Sequence, residues 1–142
     1  MIGHLSHLNY KIHSIKGRYL PLTDLKPITD YWDSFVVKDL NGASVNGTPI
    51  PVYRFGSGNK KILMWSQMHG NESTTTKGLM DFLNFLNTSS EASSQILQQC
   101  TLIVIPILNP DGAFAYTRFN KNQVDLNRDF QDFSQPESVF LK

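Results

Sequence analysis

Two apolar runs separated by an amphipathic segment constrain the fold of this chain more than any other feature. The runs "ILMWSQM" (62–68) and "TLIVIPIL" (101–108) have the length and composition of buried strands. Between them, residues 72–87 place apolar side chains at helical spacing, behind Ser and Thr residues able to cap a helix. The order strand, helix, strand predicts a right-handed crossover and two parallel strands, and therefore an α/β fold.

The remaining segments are assigned from their turn and helix-breaking residues. Residues 1–34 hold Pro21 and Pro27, which favour short helical turns, and we interpret them as a lead-in. In 35–55, two Asn-Gly pairs predict antiparallel strands in an edge hairpin or meander. The segment after residue 88 is predicted as a polar loop or short helix, and "NPDG" after the second run as a turn.

Composition excludes several classes of protein. With 40% hydrophobic and 18% charged residues in 142, the chain suits one globular domain. A net charge of +1 without a basic run argues against nucleic acid or an anionic membrane as a partner. Cys100 is the single cysteine, interpreted as an inert buried thiol, so a reducing compartment is favoured. With no signal-peptide core and no apolar run of about 20 residues, we expect a cytoplasmic protein.

Polar residues follow both predicted strands and form the first candidate site. His69 and Asn109 would meet at one rim, because ligands of open α/β sheets bind at the carboxyl ends of the strands. His69 and Glu72 are spaced so that both side chains can turn to one point and act as zinc ligands. A surface histidine beside a first-turn glutamate has the same spacing. His4 and His7 repeat that spacing, and we expect no metal there.

A second polar cluster lies between residues 109 and 130. Arg118 and Arg128 could hold a carboxylate and stabilise an oxyanion near a metal-activated water, as amide hydrolysis beside a free carboxylate requires. Alone, they would be interpreted as solvated surface arginines. Combined with His69 and Glu72, they favour a hydrolase.

At this point the sequence resembles the zinc metallocarboxypeptidases of the carboxypeptidase A type. The matching pieces are "HGNE", "NPDG", "TRFN" and "VDLNRDF", in the family's order and at its approximate separations, within about residues 35–140. The resemblance implies a three-layer α/β/α sandwich of the phosphorylase/hydrolase-like kind around a mixed, mostly parallel, eight-stranded sheet. Residues 35–142 would form the N-terminal part of that catalytic domain.

The resemblance also implies roles for individual residues around one Zn²⁺ ion. His69 and Glu72 match the zinc ligands. Asp125 matches the aspartate that hydrogen-bonds the first ligand histidine and fixes its tautomer. The third ligand would be a histidine well downstream of the Asn-Arg pair.

Three further residues match the parts of the family that act on substrate. Arg118 corresponds to the arginine that polarises the scissile carbonyl, and Asn127 and Arg128 to the pair that holds the substrate's terminal carboxylate. The implied substrate is a peptide with a free C-terminus, cleaved by metal-activated water with a glutamate as general base.

The chain departs from the family pattern after the Asn-Arg pair. No histidine follows His69, and Glu137 in "SQPESVF" looks like the cap of the next helix rather than a base. We therefore expect the chain to be the N-terminal half of a longer enzyme, inactive and weakly zinc-binding alone. It would self-associate through an uncovered sheet edge.

Two other functions remain open from the sequence. A zinc deacylase of N-acyl amino acids, of the aspartoacylase and succinylglutamate desuccinylase type, shares the "HGNE" and "DLNR" pattern. A non-catalytic module that grips a carboxylate through Asn127 and Arg128 needs neither the third ligand nor the base. A nucleotide-binding domain is disfavoured because no glycine-rich phosphate loop follows a strand.

Overall fold

The structure is a computed structural model that describes residues 7–35, 37, 40 and 42–142. Its helices are α1 (Leu22–Thr29), α2 (Thr74–Leu86), α3 (Glu91–Gln99), α4 (Pro110–Ala115), α5 (Leu126–Asp129) and α6 (Pro136–Phe140), with 3-10 turns at His7–Asn9 and Asp30–Phe35. Its strands are β1 (Gly42–Ala43), β2 (Pro49–Ile50), β3 (Tyr53–Phe55), β4 (Lys60–Trp65) and β5 (Cys100–Ile105).

A mixed three-stranded sheet with the order β3-β5-β4 forms the centre of the fold. β4 and β5 pair in parallel, from Lys60 opposite Cys100 to Trp65 opposite Ile105. This pairing confirms the parallel strands predicted from the order strand, helix, strand. β3 pairs antiparallel with the other edge of β5, so the described sheet has one parallel and one antiparallel pair.

Alternate residues of β5 face two different hydrophobic clusters. Leu102 and Val104 belong to a cluster that includes the buried face of α2. Ile103 and Ile105 belong to a second cluster with Leu126 of α5. Because successive side chains of a strand point to opposite faces, helices cover both faces of the sheet. The predicted α/β sandwich is confirmed for this part of the domain.

The prediction of a buried first strand is wrong for β4. Ile62, Leu63 and Trp65 are 41%, 45% and 41% exposed, whereas β5 is almost entirely buried. The reason is its position, because β4 is an edge strand of the described sheet and has a neighbouring strand on one side only. An apolar run reports hydrophobicity, but it does not report which strand of a sheet lies at the edge.

The helix predicted over 72–87 is α2, and its N-terminus differs from expectation. It buries four apolar side chains: Leu79, Met80, Leu83 and Leu86. Ser73 occupies the N-cap position without capping, because its hydroxyl donates to the Arg18 carbonyl at 2.6 Å. The polar segment that follows forms α3, where Ser90 accepts a hydrogen bond from the Ser93 backbone N–H as a true cap.

The turn predicted at "NPDG" is a helix start. Asn109 is the N-cap of α4, and its Oδ1 accepts from the Gly112 N–H at 2.8 Å. Pro110 occupies the first helical position, where its fixed φ is compatible with a helix and its missing N–H costs nothing. The same residue types favour a turn and a capped helix, and the chain continues as the latter.

The N-terminal segments contain the expected short elements. Residues 7–35 form α1 and the two 3-10 turns, and Leu20, Leu25 and Trp32 enter the cluster beneath α2. β1 and β2 form the predicted hairpin, with Asn46 and Gly47 in its turn. Asn41 of the first Asn-Gly pair lies outside the described residues, and so does His4. The division into a lead-in and a catalytic portion at residue 34 stays a prediction.

Candidate active site

The loop between β4 and α2 carries His69 and Glu72, and hydrogen bonds of the Gln67 side chain hold this loop in place. Gln67 is 2% exposed and has a positive φ of 48°. Its side-chain amide donates to the carbonyls of Leu20 at 2.9 Å and Gly70 at 2.8 Å, and its oxygen accepts from Thr76 at 2.8 Å. Sequence reasoning missed this residue, although a glutamine inside an apolar run was a usable signal.

The same loop packs directly on α4. The Asn109 side-chain amide donates to the Met68 carbonyl at 3.1 Å. A Cβ on Gly70 would lie 1.9 Å from the carbonyl carbon of Gly112, so the two backbones approach too closely for any side chain there. His69 and Asn109 therefore lie at one rim, as the crossover predicted.

Four predicted site residues form a closed ring of short polar contacts. His69 Nδ1 lies 3.0 Å from Glu72 Oε2, and Glu72 Oε1 accepts from Arg118 Nη1 at 2.9 Å. Arg118 Nε donates to Asp125 Oδ2 at 3.1 Å, and Asp125 Oδ1 lies 3.0 Å from His69 Nε2. We refer to His69, Glu72, Arg118 and Asp125 as the site ring.

The site ring has a protected side and a solvent side. The His69 and Asp125 side chains are 12% and 17% exposed, whereas those of Arg118 and Glu72 are 40% and 57% exposed. An open pocket of about 200 Å³ adjoins the ring, lined by residues of the β4 end and of the start of α2, including His69 and Glu72. A ligand in this pocket would meet both side chains.

Asp125 is held as a carboxylate by its donors. Burial raises the pKa of Asp125, but hydrogen bonds from His69, Arg118 and the Asn127 N–H, with the Arg118 charge, bring that pKa below its ordinary value. The same carboxylate caps α5 through the Asn127 N–H at 3.0 Å. An ionised Asp125 is a hydrogen-bond acceptor only, so it favours the His69 tautomer with a proton on Nε2.

That tautomer bears on whether the donor set fits a cation. With the proton on Nε2, Nδ1 of His69 presents a lone pair to Glu72 Oε2 at 3.0 Å. Two lone pairs at this separation repel unless a proton or a metal ion lies between them. A neutral imidazole nitrogen and a carboxylate oxygen are the donors that Zn²⁺ prefers, so this pair fits zinc. Within the described ranges, however, no cluster of three or more His, Cys, Asp or Glu is arranged to hold a metal ion.

Asn127 and Arg128 lie beside the site ring but outside it. Both are exposed residues of the short helix α5, which begins directly after Asp125. Asn127 reaches the ring only through its backbone N–H. His7, considered as part of a second His pair, lies on the lead-in with its Nε2 2.8 Å from Asp81 of α2.

The expectation that Glu137 caps the next helix is wrong. α6 begins at Pro136 with Gln135 at the N-cap, so Glu137 is not the cap of that helix. Its side chain is fully buried, and its two oxygens accept from the Val45 N–H and the Asn120 side-chain amide, each at 3.2 Å. Neither partner was identifiable from the sequence, because they lie 92 and 17 residues away.

The α/β sandwich, with helices on both faces of its sheet, has the fold of part of a metallocarboxypeptidase domain. Residues 26–139 match the sequence model of the zinc carboxypeptidase family, and the chain belongs to that family.

Individual relatives agree with this assignment. The chain is 30% identical over 85 residues to probable carboxypeptidase 2 of Trichophyton verrucosum, covering 58% of this chain and 16% of the relative. It is 35% identical over 79 residues to gamma-D-glutamyl-L-diamino acid endopeptidase 1 of Lysinibacillus sphaericus, covering 50% of this chain and 20% of the relative. The chain thus spans about a fifth or less of these curated relatives.

The fold is also similar to that of solved metallocarboxypeptidases. The metallo-carboxypeptidase of Pseudomonas aeruginosa, solved with (2-guanidinoethylmercapto)succinic acid, superposes with a TM-score of 0.68 at 24% identity. The superposition covers 84% of this chain and 34% of the solved one.

Within the part of the chain that the structure describes, no helix has the length and apolar character needed to cross a membrane.

Proposed function

We propose that this chain supplies part of the active site of a zinc-dependent exopeptidase that removes the C-terminal residue of a peptide. The observation that carries the proposal is the geometry of His69, whose Nε2 faces Asp125 while its Nδ1 and Glu72 Oε2 lie 3.0 Å apart. This is the arrangement expected of two ligands and the carboxylate that orients the first of them. No histidine follows His69 in these 142 residues, so a third histidine ligand has no candidate here, and we expect the chain alone to bind zinc weakly and to show no turnover.

When bound, zinc would act as a Lewis acid that activates water and polarises the scissile carbonyl. The residues of this chain then have separate tasks. His69 and Glu72 hold the ion, and Asp125 keeps the proton on Nε2 so that Nδ1 can coordinate. Because Asp125 is also bonded to Arg118, one carboxylate aligns a metal ligand and a substrate-facing cation.

Arg118 is proposed to stabilise the oxyanion that forms at the scissile carbonyl. The site ring uses Nε and Nη1 of its guanidinium, so Nη2 lies outside the ring. A fixed cation directed at developing negative charge stabilises the transition state without reorganisation. Its 40% exposed side chain leaves access for a substrate.

Asn127 and Arg128 are proposed to bind the terminal carboxylate of the peptide. Both are exposed on α5 immediately after Asp125, so a bound carboxylate would lie near the site ring. A guanidinium binds a carboxylate through two parallel hydrogen bonds, which would select for a free C-terminus.

The test uses the full gene product that contains these residues, together with His69→Ala. Zinc content is measured by mass spectrometry, and turnover on peptides, on cell-wall-type γ-D-glutamyl peptides and on N-acyl amino acids. We expect one zinc per chain and release of the C-terminal residue, both lost in His69→Ala. His7→Ala is the matched control, because His7 contacts Asp81 and not the ring.

Three results would contradict the proposal. Unchanged zinc in His69→Ala refutes the ligand assignment. Hydrolysis of N-acyl amino acids alone would establish the deacylase instead. Carboxylate binding without turnover would establish a non-catalytic module.

The cytoplasmic location also stays a prediction, and fractionation of cells that express the protein tests it.

A further inference from the structure

The loop between Arg118 and Asp125 is closed on itself by one buried residue, Asn120. Asn120 is 1% exposed, and its backbone N–H donates to the Val124 carbonyl at 3.0 Å. Its Oδ1 accepts from the N–H groups of Asn122 at 3.1 Å and Val124 at 3.0 Å. Two hydrogen bonds to Val124 therefore fix where the chain leaves the loop, one residue before Asp125.

The loop needs this support because part of it has an unfavourable backbone conformation. Gln123 has a φ of 62°, in the left-handed region that costs free energy for residues other than glycine. Its N–H donates to the Asn120 carbonyl at 3.0 Å. Asn120 thus holds the residue whose conformation would otherwise relax and move Asp125.

Asn120 is in turn held from the protein interior. Since its Oδ1 faces two backbone N–H groups, its NH₂ must point the other way, where it meets Gln135 Oε1 at 2.8 Å and Glu137 Oε2 at 3.2 Å. Glu137 is fully buried, and its other oxygen accepts from the Val45 N–H. All four hydrogen-bonding positions of the Asn120 side chain are occupied.

We propose that Asn120 and Glu137 form a buried positioning pair that sets the placement of Arg118 and Asp125 in the site ring. The pair touches neither the ring nor the pocket, and it acts through the loop of residues 119–124. Its catalytic use rests on the proposed function, in which Arg118 faces the substrate and Asp125 orients His69. Its structural effect can be measured in the absence of zinc and peptide.

The test exchanges the acid and the amide of the pair. Asn120→Asp sets two carboxylates against each other and removes the donor to Glu137. The double variant N120D/E137Q restores the contact between the two positions, because the amide introduced at position 137 can donate to the carboxylate introduced at position 120 while its oxygen still accepts from the Val45 N–H. A flip of the Gln135 side-chain amide then turns its NH₂, in place of its Oε1, toward the new carboxylate. The total charge of the double variant equals that of the unmodified chain. Lys121→Ala, at an exposed position of the same loop, is the matched control.

The measured signal is the side-chain Nε–H of Arg118 in nitrogen-15 NMR spectra of this chain. In the unmodified chain it donates to Asp125 and should exchange slowly with solvent. We expect exchange to be about tenfold or more faster in Asn120→Asp, because a charge-assisted hydrogen bond is weakened. It should recover in N120D/E137Q and stay unchanged in Lys121→Ala. The exchange rate of the Val104 amide in the centre of β5 reports global opening of the fold. It should not rise together with the exchange rate of the Arg118 Nε–H.

Two results would overturn the inference: an unchanged Arg118 signal in Asn120→Asp, or a double variant that folds without recovering it. If Asn120→Asp does not fold, the Glu137→Gln single variant replaces it, and an unaltered signal there overturns the inference equally. The measurement needs neither metal nor substrate. It can therefore fail while zinc binding and peptide hydrolysis are established, or succeed while they are not.

Discussion

Asp125 Oδ1 lies 3.0 Å from His69 Nε2, across 56 residues of sequence. This contact joins the loop after β4 to the N-cap residue of α5, and both side chains are largely buried. The same carboxylate also binds Arg118 and the Asn127 N–H, so one side chain sets the orientation of a candidate ligand, a candidate catalytic cation and a helix start.

Asp125→Asn tests that junction. The amide keeps one acceptor oxygen but turns its NH₂ toward a donor, so we expect a loss of about 1 to 3 kcal/mol in the free energy of unfolding, measured with urea. In the full-length protein, zinc affinity should fall by about 10- to 100-fold, as for other residues that orient a ligand histidine. Asp132→Asn, at an exposed position, should change neither quantity. Equal affinity in Asp125→Asn and the unmodified protein would remove Asp125 from the site.

Arg118→Ala and Arg128→Ala should affect different kinetic constants of the full-length enzyme. Arg118 is proposed to meet charge that exists chiefly in the transition state, so its loss should lower kcat by about 100-fold or more with little change in KM. Arg128 is proposed to bind the substrate carboxylate, so its loss should mainly raise KM. Steady-state kinetics on one peptide separate the two. An effect of Arg118→Ala confined to KM contradicts the oxyanion role.

Two glycine substitutions should change stability in opposite directions. Gly70→Ala places a methyl group 1.9 Å from the Gly112 backbone and should destabilise the fold by about 1 to 3 kcal/mol, as overpacking does. Gly78 lies in α2 with open space around its Cα, so Gly78→Ala should stabilise by about 0.5 to 1 kcal/mol. Urea unfolding measures both. A tolerated Gly70→Ala would mean that the loop does not rest on α4.

The contribution of Asp129 to stability should depend on pH. Burial raises the pKa of Asp129, but hydrogen bonds from the side chains of Ser134 and Ser138 and from backbone N–H groups bring that pKa below its ordinary value. A lowered folded-state pKa stabilises the fold above the unfolded value of about 4 and loses this stabilisation as the pH falls through the folded value.

Asp129→Asn should therefore be less stable than the unmodified chain at pH 7, with a difference that shrinks as the pH falls below about 4. Urea unfolding at a series of pH values measures this difference. Asp132→Asn again serves as the exposed control. A difference that stays constant between pH 7 and pH 3 would show that Asp129 does not act through its charge.

The exposed apolar side chains of β4 should drive self-association of the chain. Leu63→Lys introduces a charge at a 45% exposed position of that strand and should lower the association measured by sedimentation velocity. Val139→Lys makes the same change at a 51% exposed position of α6 and should have no such effect. A monomeric unmodified chain at high concentration would contradict the expectation.

The sequence predicted those features that depend on hydrophobic periodicity and on the order of elements along the chain. The helix α2 and the parallel pair β4 and β5 follow from periodicity and order. His69, Glu72 and Arg118 were candidates from their residue types and spacing, and the role of Asp125 came from the resemblance. The misses have two causes. The residues of "NPDG" are equally common in a turn and at a helix start, and the exposure of β4 depends on strand order, which the sequence does not report. Asn120, Glu137 and Val45 meet only in three dimensions, so their contact has no local signal.

The strand order β3-β5-β4 also dictates the sequence of events during synthesis. β3 and β4 are neighbours in the chain, yet among the described strands each pairs only with β5, which the ribosome delivers about 35 residues after β4 ends. Until then, both early strands carry unpaired backbone and apolar side chains, a state in which chaperone binding and aggregation compete with folding. His69 thus gains its fixed surroundings late, once β5 has joined the strands and Asp125 has emerged behind it.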